Sequence, residues 1–124
     1  MATISRNFSA ETTIMNAVAV TTGSASSDVD LETNGYFGAW VTVEADFPVT
    51  PTDNLVVEVQ ASLDGVNYDD TPLYKQTIGN GTDPNQISFP VLNAPHFRIY
   101  CYRDGSTDTI TVTAKYQAWR YTSV

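Results

Sequence analysis

Residues 35–47, GYFGAWVTVEADF, alternate apolar and polar side chains with a period of two. A β-strand points successive side chains to opposite sides of its sheet, so this period predicts a strand with one buried side. The predicted buried row is Phe37, Ala39, Val41, Val43, Ala45 and Phe47. The opposite row contains Tyr36, Trp40, Thr42 and Glu44. The stretch therefore predicts a sheet that covers a core on one side and meets solvent on the other.

The same period recurs in residues 54–63, 95–104 and 109–121. Their predicted inward rows are Leu55, Val57, Val59, Ala61 and Leu63, then Phe97, Ile99 and Cys101, then Ile110, Val112, Ala114, Tyr116 and Ala118. The last stretch is long for a domain of this size, so its end is expected to project or to pair with a neighbour.

Shorter strands are predicted at residues 13–22, 29–31, 66–78 and 86–92, and no segment has a convincing helical period. Seven or eight strands separated by turn signals are typical of an all-β, antiparallel β-sandwich, here of jelly-roll-like type. A length of 124 residues indicates one domain. We assign residues 1–12 to an extended N-terminal arm and residues 13–124 to the sandwich.

Residues 62–68, SLDGVNY, follow one of these alternating runs. The pair Asp64-Gly65 suits a two-residue hairpin turn in which both residues have positive φ. Further aspartates lie in predicted loops, and calcium prefers several loop oxygens. The order of these residues is not that of an EF-hand, and aspartate is a common turn residue, so we predict turn chemistry and no metal site. These aspartates are Asp69, Asp70, Asp83, Asp104 and Asp108.

Composition excludes several classes of function. Fourteen acidic and six basic residues give a net charge of −8, which disfavours binding to nucleic acid. No polybasic run and no long apolar run is present, so no membrane contact is expected. The start of the sequence does not resemble a signal peptide, and the single cysteine rules out an internal disulfide. We expect synthesis and folding in a reducing cytoplasm.

Catalytic patterns are missing from the sequence. His96 and Cys101 are the only residues of their types, and a spacing of five on one strand points them to opposite sides. We interpret His96 as a solvated or interface histidine and Cys101 as a small core residue. The G-x-S-x-G motif and a glycine-rich phosphate loop are both absent. The sequence therefore predicts no enzyme and no cofactor.

Aromatic residues on the predicted solvent-facing rows are the main candidates for function. They could form a protein interface, cover a loop or stack against sugar rings, and nearby arginines favour the interface. The arm adds Ile4, Arg6 and Phe8 to this candidate set. The other candidates are Tyr36, Trp40, Arg98, Tyr100, Tyr102, Trp119 and Tyr121.

Three stretches of the sequence resemble a known class of proteins. Residues 55–74, LVVEVQASLDGVNYDDTPLY, place Ser, then Asp-Gly, then an aromatic residue after an alternating strand. Residues 4–44 combine a short arm, a Ser/Thr-rich strand and Gly-Tyr-Phe before a long strand, and residues 109–121 read TITVTAKYQAWRY. Together they resemble capsid decoration (auxiliary head) proteins of tailed bacteriophages, or related small β-sandwich proteins of the virion.

The resemblance implies a structural protein without catalytic activity. Its expected partner is the major capsid protein, and its expected location is the capsid exterior, where it stabilises the lattice, often as a homotrimer. The acidic composition suits an outer surface, since an inner one would face packaged DNA. Two alternatives remain open: a carbohydrate-binding β-sandwich module, and a neck, tail or head-fibre component of the virion.

Overall fold

A computed structural model of the chain describes residues 4–81 and 85–123, with only the backbone described at 122 and 123. Within these ranges the protein is all-β, with ten strands and no helix. The strands are β1 (Ile4–Phe8), β2 (Thr12–Val20), β3 (Gly23–Ala25), β4 (Val29–Asp30), β5 (Gly38–Asp46), β6 (Leu55–Ser62), β7 (Tyr74–Ile78), β8 (Gln86–Leu92), β9 (His96–Arg103) and β10 (Ile110–Ser123).

The strands form two antiparallel sheets of five, arranged as a β-sandwich. Sheet A has the order β1-β10-β5-β8, and β2 also pairs with β10. Sheet B has the order β3-β9-β6-β7, and β4 also pairs with β9. Because β5 occupies one side of β10, β1 and β2 lie end to end along its other side. In the same way β3 and β4 follow each other along one side of β9.

One apolar core lies between the sheets and draws on both inner faces. The predicted inward rows are confirmed in the middle of every long strand. Fully buried examples are Ala39, Val41, Val43, Val57, Val59, Phe97, Ile99, Cys101, Ile110, Val112 and Ala114. Removal of these side chains from water is the main contribution to the stability of a domain this size.

The predicted strand count and the predicted arm both need correction. Ten strands are found instead of seven or eight, because β3 forms in a predicted loop and β1 forms in the predicted arm. Strand β1 pairs along its whole length with the end of β10, from Ile4 opposite Ser123 to Phe8 opposite Trp119. The neighbour expected for the long last strand is therefore the start of the same chain. Residues 1–3 of the predicted arm lie outside the described residues.

The alternation fails where strands end. Phe37 was predicted to be inward but is 53% exposed, because β5 begins only at Gly38 and a positive φ at Gly35 turns the chain just before it. Leu63 is likewise predicted to be inward and is 81% exposed, since β6 ends at Ser62. Side-chain direction follows the pleat only within a paired strand.

The Asp64-Gly65 pair lies in a turn, but the two-residue hairpin is wrong. Ser62 and Tyr68 form the last bridge, so five residues separate the partners, and of the pair only Gly65 has positive φ. The Asp64 carboxylate holds the loop, because its Oδ1 accepts hydrogen bonds from the backbone N–H groups of Val66 and Asn67, each at 2.8 Å. These two bonds, Asn67 first, hold the pKa of Asp64 far below its usual value.

At another end of the sandwich, two buried aspartates, Asp53 and Asp108, lie in neighbouring loops. The carboxylate of each one accepts hydrogen bonds from backbone N–H groups of the loop that contains the other. The Asp108 carboxylate accepts hydrogen bonds from the N–H groups of Thr52 and Asp53 at 2.7 and 2.8 Å. The Asp53 carboxylate accepts from the N–H groups of Thr107 and Asp108 at 2.9 and 2.8 Å. The bond from Asp108 is the main reason that the pKa of Asp53 is lowered. For Asp108 this arrangement agrees with the predicted turn chemistry, whereas Asp83, another of the predicted loop aspartates, lies outside the described residues.

Truncation of two phenylalanines to alanine tests the inner and outer assignments. Phe97→Ala should lower the free energy of unfolding by about 3–5 kcal/mol, because it empties a fully buried site. Phe37→Ala should cost no more than about 1.5 kcal/mol, because that ring is half exposed and meets the Tyr121 ring edge-on. Urea unfolding measures both, and equal losses would contradict the described start of β5.

The paired aspartates make a second prediction. Asp108→Ala leaves two backbone N–H groups without their acceptor, so it should lower the free energy of unfolding by about 2 kcal/mol or more. Asp70→Ala is the matched control, since Asp70 is exposed. A loss at Asp108 no larger than at Asp70 in the same urea experiment would show that the loop pairing contributes nothing.

Candidate functional site

Five of the ten exposed large apolar side chains of the described residues lie on the outer face of sheet A, away from the core, and the other five lie outside the strands. Residues directly opposite on antiparallel strands share a face, so the register sorts this face into rows that run across the strands. Each row is given in the strand order β8, β5, β10 and β1, starting at the apolar end of the face. The first row is Tyr121 and Arg6, and the second is Leu92, Gly38, Trp119 and Phe8. The next three rows are Pro90, Trp40 and Gln117; Ser88, Thr42 and Lys115; and Gln86, Glu44 and Thr113.

The apolar end of this face forms a connected cluster, which we call the aromatic patch: Arg6, Phe8, Phe37, Trp119 and Tyr121. The Arg6 guanidinium carbon lies 6.0 Å from the ring centroids of Phe8 and Trp119, and 5.8 Å from that of Tyr121. These distances are within the range of cation–π attraction. The rings also contact each other, with centroids 6.4 Å apart for Phe8 and Trp119 and 5.2 Å apart for Phe37 and Tyr121.

Gly38 leaves room for the Trp119 ring of the aromatic patch to pack against the sheet. A Cβ atom at this position would come within 2.8 Å of the Trp119 ring and 2.7 Å of the Val91 carbonyl oxygen. The indole therefore occupies the space above the glycine, which is a known use of glycine within strands. Any larger residue at position 38 would force the Trp119 ring to move.

Exposure distinguishes the patch from ordinary surface. Phe8 is 54% exposed and Tyr121 45%, and Ile4, Trp40 and Leu92 on the same face are also exposed. Single exposed apolar residues are normal, but a contiguous group marks an interaction surface. The combination of aromatic rings with arginine is characteristic of the centres of protein interfaces.

Beyond Trp40 the same face becomes polar and forms a shallow groove with a volume of about 250 Å³. Lys115 lies on one wall, with its ammonium nitrogen 3.4 Å from a carboxylate oxygen of Glu11. The residues that line this groove are Glu11, Trp40, Thr42, Glu44, Gln86, Thr113, Lys115, Tyr116 and Gln117. We refer to it below as the Trp40 groove.

The structure does not bring all ten predicted interface residues together. Ile4, Arg6, Phe8, Trp40, Trp119 and Tyr121 share the outer face of sheet A. Tyr36 instead packs against the core and lies 5.8 Å from the Arg120 guanidinium. The remaining three, Arg98, Tyr100 and Tyr102, belong to β9 in sheet B.

The three predicted interface residues on sheet B contact other side chains of the same protein. The Arg98 Nε donates a hydrogen bond to Gln60 at 2.7 Å, and its guanidinium lies 4.1 Å from the Tyr68 ring centroid. Tyr102 donates to a Glu58 carboxylate oxygen at 3.3 Å, and its ring is 5.9 Å from that of Tyr100. These side chains are partly buried and form no open aromatic surface.

Sequence reasoning missed two exposed residues of the sheet A face, Phe37 and Leu92. The period of two predicts Phe37 in the core row, and Leu92 is not among the predicted interface residues. Gly35 is a signal that could have indicated the break before Phe37. No local signal identifies Leu92, because its place beside Gly38 depends on the pairing of β5 with β8.

His96 belongs to a hydrogen-bonded cluster at one end of sheet B, where the inner strand β9 begins. Its Nδ1 lies 2.7 Å from Asp28 Oδ2, and the Tyr68 hydroxyl donates to the other oxygen of Asp28 at 2.6 Å. The hydrogen bond with Asp28 raises the pKa of His96, and the carboxylates of Asp30 and Glu32 act in the same direction. Burial, followed by the bond to Asp28, raises the pKa of Tyr68 to about 12. The cluster connects the loop before β4 to the loop after β6.

Cys101 lies on the opposite side of β9 and is fully buried, as predicted. Burial raises the pKa of its thiol to about 12, so the thiol stays protonated and unreactive near neutral pH. His96 and Cys101 therefore cannot act as a pair.

Among the described residues, no group of three or more His, Cys, Asp or Glu side chains is placed to hold a metal ion. The described part of the chain also contains no helix that could cross a membrane. In comparisons with known proteins, the chain matches no protein-family model and no curated sequence.

The His96 cluster predicts a pH dependence of stability. A histidine with a raised pKa in the folded state stabilises the fold fully below its unfolded pKa of about 6.5, and this contribution fades as pH rises through the folded pKa. The difference in free energy of unfolding between the wild type and His96→Gln should therefore shrink from pH 6 to pH 9. Urea unfolding across this range checks it, and a difference that grows with pH would contradict the described cluster.

Proposed function

We propose that this protein is a non-enzymatic structural protein of a bacteriophage virion, which binds the outside of the capsid through the aromatic patch. The major capsid protein is its proposed partner. The observation that carries the proposal is the concentration of exposed and partly exposed rings around Arg6 on one outer sheet face. The resemblance of residues 4–44, 55–74 and 109–121 to decoration proteins indicates which kind of partner this face meets.

The chemistry of the patch favours a protein partner. Three rings surround the Arg6 guanidinium, and within the described residues Arg6 forms no ion pair with a carboxylate. The Arg6 Nη2 atom donates one long hydrogen bond to the Tyr121 hydroxyl at 3.5 Å, and the side chain is exposed. A partner carboxylate can bind the remaining N–H groups of the guanidinium while the rings exclude water around it. Charged hydrogen bonds in a ring of apolar contacts are a usual source of interface affinity.

The charge distribution favours an exterior position. A net charge of −8 repels packaged DNA, and the patch holds one of only six basic residues in the chain. The arginine is therefore a local positive centre on an acidic protein. It favours approach of this face, and not of the acidic remainder, to an acidic region of the partner.

The strand order supports the jelly-roll form of the sandwich. If β1 with β2, and β3 with β4, are each counted as one interrupted strand, each sheet has four strand positions. Sheet A then reads first, eighth, third and sixth, and sheet B reads second, seventh, fourth and fifth. Two sheets of four strands connected back and forth in this way are the jelly-roll arrangement of capsid and lectin domains. Fold alone does not establish function, so this agreement is only supportive.

Lattice stabilisation follows from mass action. A protein that binds only the assembled lattice stabilises it by about 2.7 kcal/mol per site at a free concentration one hundred times its Kd. If the protein forms the expected homotrimer, three patches bind together and avidity adds to this value. The proposed role needs no reactive centre.

Co-sedimentation with capsids that lack the protein tests the proposal. The double variant Arg6→Ala/Tyr121→Ala should bind capsids at least tenfold more weakly than the wild type, because it removes the cation and one ring that contacts it. Tyr100→Ala, on the outer face of sheet B, is the matched control and should bind as the wild type does. Thermal unfolding of each variant confirms that the sandwich remains folded.

Three results would contradict the proposal. The first is equal binding by the wild type and the double variant, and the second is loss of binding with Tyr100→Ala alone. The third is a wild-type protein that ignores capsids but sediments with purified necks, tails or head fibres, which would assign it to another part of the virion. Size-exclusion chromatography with light scattering measures the expected trimer directly.

A further inference from the structure

We propose that the Trp40 groove is a separate binding site for a neutral oligosaccharide. The groove occupies three consecutive rows of the outer face of sheet A, from the row of Trp40 to the row of Glu44. The four steps from Trp40 to Glu44 along β5 correspond to roughly 13 Å at about 3.3 Å per residue, which is long enough for a short chain of sugar rings. This inference does not depend on the proposed capsid role.

Trp40 supplies a stacking surface at one end of the groove. Its side chain is 48% exposed, and within the described residues it takes part in no ring–ring contact and no hydrogen bond. The rings of the aromatic patch contact one another, whereas the Trp40 ring has a free surface. A free indole beside polar groups suits a sugar ring, which presents an apolar C–H face and a rim of hydroxyl groups.

Polar groups along the groove supply the hydrogen bonds. Glu44 and Gln86 are opposite each other on β5 and β8, and neither side chain is hydrogen-bonded within the described part of the chain. Gln117 stands opposite Trp40 and donates one bond to the Ser9 carbonyl oxygen at 3.2 Å, which leaves its side-chain oxygen available. Amides and carboxylates can bind the paired donors and acceptors of sugar hydroxyl groups.

Charge restricts the ligand to neutral sugars. The groove holds two carboxylates, Glu11 and Glu44, and one ammonium group, Lys115, which is already paired with Glu11. Together with the net charge of −8, this arrangement repels uronic or sialic acids. The polar lining also distinguishes the groove from the aromatic patch beside it. The patch is apolar and favours contact with a protein surface.

The small volume predicts weak binding. At about 250 Å³ the groove is below the usual range for tight small-molecule pockets, so one site alone should bind with a Kd near the millimolar level. Repetition of the protein on a particle would raise the effective affinity for a glycan-coated surface.

NMR titration tests the site directly, because the chain has only two tryptophans and therefore two indole N–H signals. The probes are pentasaccharides of glucose (β1,4, β1,3 and α1,4 linked), mannose and xylose, with oligogalacturonate as the anionic control. At least one neutral probe should shift the Trp40 signal saturably, while the Trp119 signal and the oligogalacturonate titration show no change. The variant Trp40→Tyr assigns the two signals.

Variants separate this site from the patch. Trp40→Ala and Gln86→Ala should each weaken sugar binding about tenfold or more, followed through backbone amide signals of β5 and β8. Trp40→Tyr should retain most of the affinity, because an aromatic face remains. Phe8→Ala, in the aromatic patch, should bind sugar as the wild type does.

The proposal is overturned if no neutral probe shifts the Trp40 signal at about 10 mM, tenfold above the expected Kd. It is also overturned if oligogalacturonate binds as well as the neutral probes, or if Phe8→Ala weakens sugar binding as much as Trp40→Ala does. Because the capsid test uses Arg6 and Tyr121 and this test uses Trp40 and Gln86, either proposal can fail while the other holds.

Discussion

The pairing of β10 is the constraint on which the rest of the structure depends. This strand is hydrogen-bonded along one side to β5 and along the other to β2 and then β1. Its register therefore determines what each of its side chains faces. Ile110, Val112 and Ala114 enter the core, while Lys115, Gln117 and Trp119 form the outer face. A slip of one residue would exchange the two sets and would destroy both the core and the candidate site.

The stability of the fold and both proposed binding surfaces therefore depend on the same strands. The rows that form the aromatic patch and the Trp40 groove cross β10, β5 and β8, and these three strands contribute ten of the 22 buried residues of the core. Sites built on paired strands hold their side chains more rigidly than sites built on loops. The loops at the ends of the sandwich have a different role: carboxylates such as Asp53, Asp64 and Asp108 satisfy their backbone N–H groups.

Sequence predicted the interior of the long strands well, because a period of two records which side of a sheet is buried. Val41, Val59 and Ile99 are buried as that period requires. The period of two failed at Phe37, which precedes its strand, and at Leu63, which follows its strand. The predicted two-residue turn at Asp64 also failed, because hydrogen bonds of the Asp64 side chain determine a longer turn.

The sequence pattern does not predict which distant strands pair with each other. Nothing local shows that residues 4–8 pair with residues 119–123 across the whole chain, and the polar composition of this segment suggested an arm. Outside residues 4–8, the predicted interface residues alternate with inward-facing residues along their strands. Alternation does not reveal which sheet a strand joins, so Arg98, Tyr100 and Tyr102 were grouped with residues that lie on the opposite outer face.

The central claim is that the outer face of sheet A is the binding face of this protein. Hydroxyl-radical footprinting, read by mass spectrometry on the free protein and on capsid-bound protein, measures this at each aromatic side chain. Binding through this face should protect Phe8, Trp119 and Tyr121 from oxidation and leave Tyr100 and Tyr102 unchanged. Protection of the sheet B tyrosines, with Phe8 and Tyr121 still oxidised at their free rates, would contradict it.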